Sequence, residues 1–373
     1  MESPLRIGII GCGDVVVNYS YPELEKYEPD RASLVWVAGV KKRDDRLNAL
    51  SHLPASVNLA QRIKSDNVKY YTIEDFNDSR LDEIDAVYIA STNDTQRLYA
   101  EKALNRQNPK HVICEKPLVS VLSDIEGMAF LDETHPEVVC METAHYLYKG
   151  ACIELGKRLP QYLKSTGRRI ISVEGYIREG KERDIIGYSA DGKPVYMNRL
   201  RDTILRKDAG GGLLRDTGTY LISLVYATGA EINEVRDVRF YNYDESAFDT
   251  ETACEMDFRI SGNGFDDNCI THIEVAKFLD EKTKLFRITF DKGEGDITVN
   301  FDENKIVYRS NGHEHSVYEG KEKAYYNMLG HFLECVKQDL EPATPFSSSV
   351  KKNKIIEDIC KTAKWGDMHE FYD

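Results

Sequence analysis

The sequence has 373 residues, 41% hydrophobic and 30% charged, enough for two domains with cores of ordinary size. Its formal net charge of −14 disfavours nucleic acid and anionic membrane surfaces as partners. No apolar run approaches the ~18 residues of a membrane span. The start, Met1-Glu-Ser-Pro-Leu-Arg6, lacks an apolar signal core, so a cytoplasmic protein is expected.

Up to about residue 145, short apolar runs alternate with helix-like stretches. The runs are Leu5–Ile10, Leu34–Val40, Ala86–Ala90, His111–Cys114 and Val138–Met141, with a periodic stretch from Thr95 to Asn105. Strands that are apolar throughout need cover on both faces, so the pattern predicts a doubly wound parallel sheet. The first strand runs into Gly11-Cys12-Gly13-Asp14-Val15-Val16. A glycine turn between strand and helix lets backbone approach a pyrophosphate, and the helix N-terminus offers it free N–H groups. Gly11, Cys12, Gly13, Asp14 and Val15 are therefore expected to bind a dinucleotide, although the full fingerprint has a third glycine where this chain has Val16.

Strand two ends in Val40-Lys41-Lys42-Arg43. A carboxylate there would accept hydrogen bonds from the ribose of NAD, whereas Lys42 and Arg43 suit the 2′-phosphate of NADP. A solvated basic corner is the plainer reading. The next strand-end polar run is Ser91-Thr92-Asn93, at the sheet edge where doubly wound folds bind ligands. A simple polar turn is the alternative. The strand after it delivers Glu115-Lys116-Pro117 to the same edge. Lys116 is there a candidate proton donor or hydride-site charge, or only the ion-pair partner of Glu115.

Beyond about residue 150 the strand-like segments lengthen and alternate polar with apolar: Arg169–Ile177, Thr250–Ile260, Cys269–Phe278, Lys284–Phe290, Gly295–Phe301 and Lys305–Arg309. That texture predicts a mostly antiparallel sheet with one open face. Helices are expected over Lys321–Lys337 and after Thr344-Pro345, where Ser347, Ser348 and Ser349 offer N-caps. The boundary falls near Tyr146 to Gly150. The eight cysteines, at 12, 114, 140, 152, 254, 269, 335 and 360, include no Cys-x-x-Cys pair. They read as small buried hydrophobes in a reducing compartment, with no metal-ligand spacing.

The strand–Gly11-Cys12-Gly13–helix start, Ser91-Thr92-Asn93 and above all Glu115-Lys116-Pro117 resemble the Gfo/Idh/MocA oxidoreductases, named for glucose–fructose oxidoreductase, inositol dehydrogenase and a rhizopine-catabolism protein. The resemblance covers nearly the whole chain. It implies an α/β architecture: an N-terminal Rossmann domain (1–146) and a C-terminal α/β domain (147–373) with a large, mostly antiparallel, open-faced sheet. That sheet often makes the oligomer contact, so a homodimer or homotetramer is expected. Among the cofactor-binding residues it implies Ser91, Thr92, Asn93, Glu115 and Lys116, beside the glycine turn and Lys42/Arg43.

A second family block is a glycine-rich loop followed by Asp-x-Gly-x-His-x-x-Asp. Here Gly210-Gly-Gly leads to Asp216-Thr-Gly218-Thr-Tyr220-Leu-Ile-Ser223, with Tyr220 for the histidine and Ser223 for the last aspartate. Asp216 and Tyr220 are i and i+4 and share a face if the helix has begun. Lys116, Asp216 and Tyr220 are the implied catalytic residues. The family's substrate-facing segment falls on Met141–Lys149, which locally also resembles the His-Tyr-Leu-x-Lys run of glucose-6-phosphate dehydrogenases. His145, Lys149, Arg201, Asp216 and Tyr220 are thus expected to touch an anionic or polyhydroxylated substrate. A packed histidine, a packed aromatic and a solvated basic loop are the structural alternatives.

The implied activity is hydride transfer between NADP (NAD possible) and a carbinol or carbonyl carbon of a sugar, sugar phosphate or cyclitol, without a metal. Two alternatives stand beside it. One is transient use of NAD(P) for epimerisation, elimination or glycoside cleavage. The other is non-catalytic nucleotide sensing, which the Tyr220 and Ser223 replacements keep open and the intact Glu115-Lys116-Pro117 argues against.

Overall fold

A computed structural model describes residues 3–118, 122–181, 185–188, 194–196, 204–205, 211–293, 295–368 and 371. The chain forms two compact units: Met1–His145 with Lys323–Lys351, and Tyr146–Glu322 with Lys352–Asp373. The segment Lys323–Lys351, read from sequence as part of the C-terminal domain, belongs to the first unit. The reason is its apolar face. Phe346 and Val350 join the core of the first unit. Tyr326 stacks on Tyr27 at 4.7 Å, and the Tyr27 hydroxyl donates to the Tyr326 carbonyl at 2.9 Å.

In the first unit, β1 (Leu5–Ile10), β2 (Ala32–Gly39), β3 (Lys69–Thr72), β4 (Ala86–Ile89), β5 (His111–Cys114) and β6 (Cys140–Glu142) form one sheet. Its order is β3-β2-β1-β4-β5-β6 and every pair is parallel. The order reverses between β1 and β4, which opens a crevice at the carboxyl ends of those strands. Ile10, Val87, Ile89, Val112 and Cys114 are fully buried because helices such as Asn93–Leu104 and Leu122–Thr134 connect the strands. β3 escapes a hydrophobicity reading. Its Lys69-Tyr-Tyr-Thr72 lies at the sheet edge, half-buried to exposed, and offers no apolar run.

The second unit carries a nine-stranded sheet. In chain order its members are β7 (Ile170–Gly180), β10 (Glu231–Tyr241), β11 (Ala253–Ser261), β12 (Phe265–Leu279), β13 (Thr283–Phe290), β14 (Asp296–Asn300), β15 (Lys305–Ser310), β16 (His313–Glu319) and β17 (Lys364–Trp365). A separate hairpin holds β8 (Ile185–Tyr188) and β9 (Pro194–Tyr196). The order is β16-β15-β14-β13-β7-β12-β11-β10-β17. β7 with β12 and β10 with β17 are parallel, and the other pairs antiparallel.

One face is the core. Val173, Ile177, Ile273, Val275, Phe286 and Ile288 are buried with Leu155 and Leu159 of the helix Gly150–Thr166 and Leu221 and Leu224 of the helix Thr219–Ala227. The alternate positions Glu174, Tyr176, Arg178, His272 and Arg287 are half-buried and polar. β10 and β16 were not legible as strands, since both lie toward the solvent-facing ends of the sheet and carry charge on both faces.

All eight cysteines are free thiols, seven of them buried. Among the described residues no helix is long and apolar enough to cross a membrane.

Candidate active site

The glycine turn grows directly out of β1. The Gly11 N–H donates to the Ala38 carbonyl of β2 at 2.8 Å, and Ala90 N–H donates to the Ile10 carbonyl at 2.7 Å. Gly11 has φ +99°, and a Cβ there would stand 2.2 Å from the Ala90 carbonyl oxygen, so only glycine fits. Gly13 is different. An added Cβ would meet no protein atom within 4 Å, so packing does not demand glycine. What its bare backbone leaves is open space at the start of the helix that begins with Asp14 and Val15.

Val16, in the place of a third glycine, is fully buried, and the helix winds wide over Val16–Ser20. Such wide turns recur at functional sites. Cys12 is a buried thiol whose pKa burial pushes up. Asp14 accepts the Asn18 amide at 2.6 Å. At the neighbouring strand end the Ser91 hydroxyl is buried without a hydrogen-bond partner, Thr92 accepts the Thr95 N–H at 2.9 Å, and Asn93 opens a helix. An open glycine backbone, a helix start and an orphaned hydroxyl form a donor set that fits a dinucleotide pyrophosphate.

Lys42 is exposed. The Arg43 guanidinium donates to the Ile63 carbonyl and to Asp66, both at 2.6 Å, which draws it toward the end of the helix Val57–Lys64. Arg46, three residues beyond Arg43 in the helix Arg43–Ser51, donates to the Cys12 carbonyl and keeps its Nε buried without a partner. Sequence reasoning missed Arg46. The i, i+3 spacing from Arg43 was the available signal.

Lys116 is held by its neighbours' backbone and two buried carboxylates. The Glu115 N–H continues the sheet by donating to Ile89 at 2.8 Å. Its side chain accepts from the Tyr88 hydroxyl and, at 3.3 Å, from the Lys116 N–H. The Thr143 hydroxyl also accepts the Lys116 N–H, at 3.0 Å. The Lys116–Pro117 peptide is cis. Glu142, fully buried at the end of β6, accepts the Leu118 N–H at 3.1 Å and the Ser349 hydroxyl at 2.5 Å. Ser349, expected as an N-cap, thus serves a buried carboxylate instead, because a buried anion must find donors. Burial pushes the Glu115 carboxyl up, against the pull of Tyr88, Thr143 and Lys116. Tyr88, Glu142 and Thr143 were not singled out from sequence. A glutamate closing the apolar run Val138–Met141 was the one visible hint. His145, just beyond, stacks on Tyr325 at 4.8 Å.

In the second unit, the Asp216 N–H donates to the Gly212 carbonyl at 2.9 Å, so the helix has begun before Asp216. Asp216 accepts the Thr217 hydroxyl at 3.2 Å. Tyr220 is buried and stacks on Tyr146 at 4.4 Å. Lys149 lies 5.1 Å over the Tyr146 ring and donates to the Phe301 carbonyl at 2.8 Å, with its pKa lowered by burial. Ser223, in the place of the family block's last aspartate, bonds back to the Thr219 carbonyl at 2.8 Å. Arg201, with Arg199, Arg206, Lys207 and Gly210, lies outside the described residues.

A family model described as an oxidoreductase family with an NAD-binding Rossmann fold, GFO_IDH_MocA, matches residues 5–143. Over those residues the chain matches the Gfo/Idh/MocA oxidoreductases. An oxidoreductase of Formosa agariphila is 25% identical over 243 residues, which is 63% of this chain and 64% of that protein. The match therefore spans less than two thirds of the relative's length. Among solved structures, levoglucosan dehydrogenase in complex with NADH and levoglucosan has a TM-score of 0.72 at 18% identity, over 96% of this chain and 98% of that one. A 3-ketoreductase from Actinomadura kijaniata, in complex with NADP and TDP-benzene, has a TM-score of 0.71 at 16% identity, over 98% and 99%. At these identities the two structures establish the shared fold. The matched residues make up the parallel sheet of the first unit, the NAD-binding Rossmann fold that the family model describes.

Two outcomes are expected. Glu142→Ala strands the Leu118 N–H and the Ser349 hydroxyl and lowers unfolding free energy by about 3 kcal/mol in urea titration. Gly13→Ala leaves that stability within ~1 kcal/mol but weakens NADPH binding about tenfold or more, measured by NADPH fluorescence.

Proposed function

We propose that this protein is an NADP-dependent oxidoreductase acting on a carbinol or carbonyl carbon of a sugar, sugar phosphate or cyclitol. The observation that carries the reading is Lys116. Its loop is held at the carboxyl edge of a Rossmann sheet by Glu115, Thr143 and Glu142, beside a glycine turn with open space above it. The sugar ligands named for the levoglucosan dehydrogenase support the substrate class by analogy.

Bound NADP would supply the hydride acceptor or donor. The chain's own groups position the substrate and handle its proton. Lys116 donates a hydrogen bond to the reacting oxygen and stabilises the charge that develops on it. Tyr220 takes the hydroxyl proton in oxidation and returns it in reduction, with Asp216 orienting the substrate. His145 and Arg201 complete the substrate contacts. Lys149 is assigned to packing under Tyr146, given its bond to Phe301.

The preference for NADP is supported by Lys41, Lys42 and Arg46 together with the lack of a carboxylate among residues 40–43. A homo-oligomer through the open face of the nine-stranded sheet and a cytoplasmic location belong to the same reading. The free thiols support the latter.

Turnover of NADP with glucose, glucose 6-phosphate, levoglucosan and myo-inositol is the direct test. Lys116→Met is expected to lower kcat by about a thousandfold with NADPH affinity retained, and Tyr220→Phe by about a hundredfold. Near-full turnover by Lys116→Met would overturn the assignment. Tight NADPH binding without turnover in any assay would instead favour nucleotide sensing. A kcat/KM for NADPH at least tenfold above that for NADH is expected, and equal values would remove the basis for the NADP preference.

A further inference from the structure

The glycine loop ahead of Asp216 closes around a carboxylate from elsewhere in the chain. Glu251, two residues before β11, is 7% exposed. Its Oε1 accepts the Leu214 N–H at 3.0 Å, and its main-chain carbonyl accepts the Leu213 N–H at 3.3 Å. Gly212, at φ +126°, passes so close that a Cβ would stand 2.6 and 2.9 Å from the two carboxylate oxygens. The first N–H groups of a helix have no acceptor within it and carry its partial positive charge. This helix begins with Leu213, which gives no side-chain cap of its own. Its cap therefore comes from 37 residues away.

We propose that Glu251 is a positioning residue: by holding Leu213 and Leu214 it sets the first turn of the helix and with it the placement of Asp216 and Tyr220. The inference rests on the reading of those two residues as substrate-orienting and proton-handling groups.

The surroundings make this carboxyl respond to pH. Arg215 donates to Glu357 at 2.5 Å and approaches the Cys360 thiol at 3.9 Å, and it attracts Glu251 from the same side. Cys254 and Cys360 are the other titratable groups facing it. Burial raises the Glu251 pKa from an ordinary 4.5 to about 7, against the pull of the Leu214 N–H and Arg215. A raised carboxyl pKa means the folded state binds more protons than the unfolded state between those values. Its contribution to stability is thus present below 4.5, is lost as pH rises to about 7, and is constant above that.

The experiment uses the full chain with Glu251→Ala and Glu251→Gln. Amide hydrogen exchange without substrate is read at residues 211–218. Glu251→Ala is expected to lose protection there by about tenfold or more, and Glu251→Gln, which keeps an acceptor for Leu214, to recover most of it. With the panel substrate turned over fastest, Glu251→Ala lowers kcat by about a hundredfold, while KM for NADPH stays within threefold. The Tm of the wild type falls relative to Glu251→Gln between pH 5 and pH 7. Unchanged protection in Glu251→Ala, or lost protection with unchanged kcat, overturns the proposal. Turnover retained by Lys116→Met or Tyr220→Phe overturns the catalytic reading instead, and exchange at 211–218 is independent of that result.

Discussion

Two buried carboxylates govern where the chemistry of the first unit can sit. Glu115 and Glu142 close adjacent strands and are satisfied by the Lys116 and Leu118 N–H groups and by the hydroxyls of Tyr88 and Ser349. A buried charge without donors costs several kcal/mol, so the backbone between 116 and 118 cannot leave them without penalty. The lysine is therefore placed by its main chain. The sheet contributes the rest. Parallel strands buried on both faces end at one edge, and the order reversal between β1 and β4 puts the glycine turn and Ser91 at the same edge as Lys116.

The second unit repeats the device with one carboxylate. Glu251 satisfies N–H groups that the helix beginning at Leu213 leaves unpaired, as Glu142 does for Leu118. In both, a carboxylate at or just beside a strand end fixes a backbone turn whose own sequence lacks a polar cap. The residues so held, Lys116 and Asp216, belong to the two blocks that carry the family resemblance.

Much of this was legible in the residues, and the failures have physical causes. β1, β4 and β5 announced themselves because central parallel strands are apolar throughout. β3, β10 and β16 did not, since strands near the solvent-facing margins of a sheet need no apolar run. The glycine turn and Glu115-Lys116-Pro117 were recognisable because local backbone chemistry restricts which residues serve there. The bond from Arg43 to Asp66 spans 23 residues, which periodicity cannot see. Glu142, Arg46 and Glu251 were passed over for the same reason, their bonds spanning 24 to 207 residues.

What the sequence determined by itself was the class of each layer: a doubly wound parallel sheet, then a half-polar antiparallel one, with a dinucleotide turn at the first strand and a lysine at the fifth. These follow from period, composition and steric limits that act within a few residues. Only the tertiary structure decided that Lys323–Lys351 returns to the first unit, that Ser349 faces Glu142 and that Glu251 caps the helix of Asp216. Those are contacts between distant segments. Their free energy comes from burying apolar faces and satisfying buried carboxylates, quantities that exist only once the segments have met.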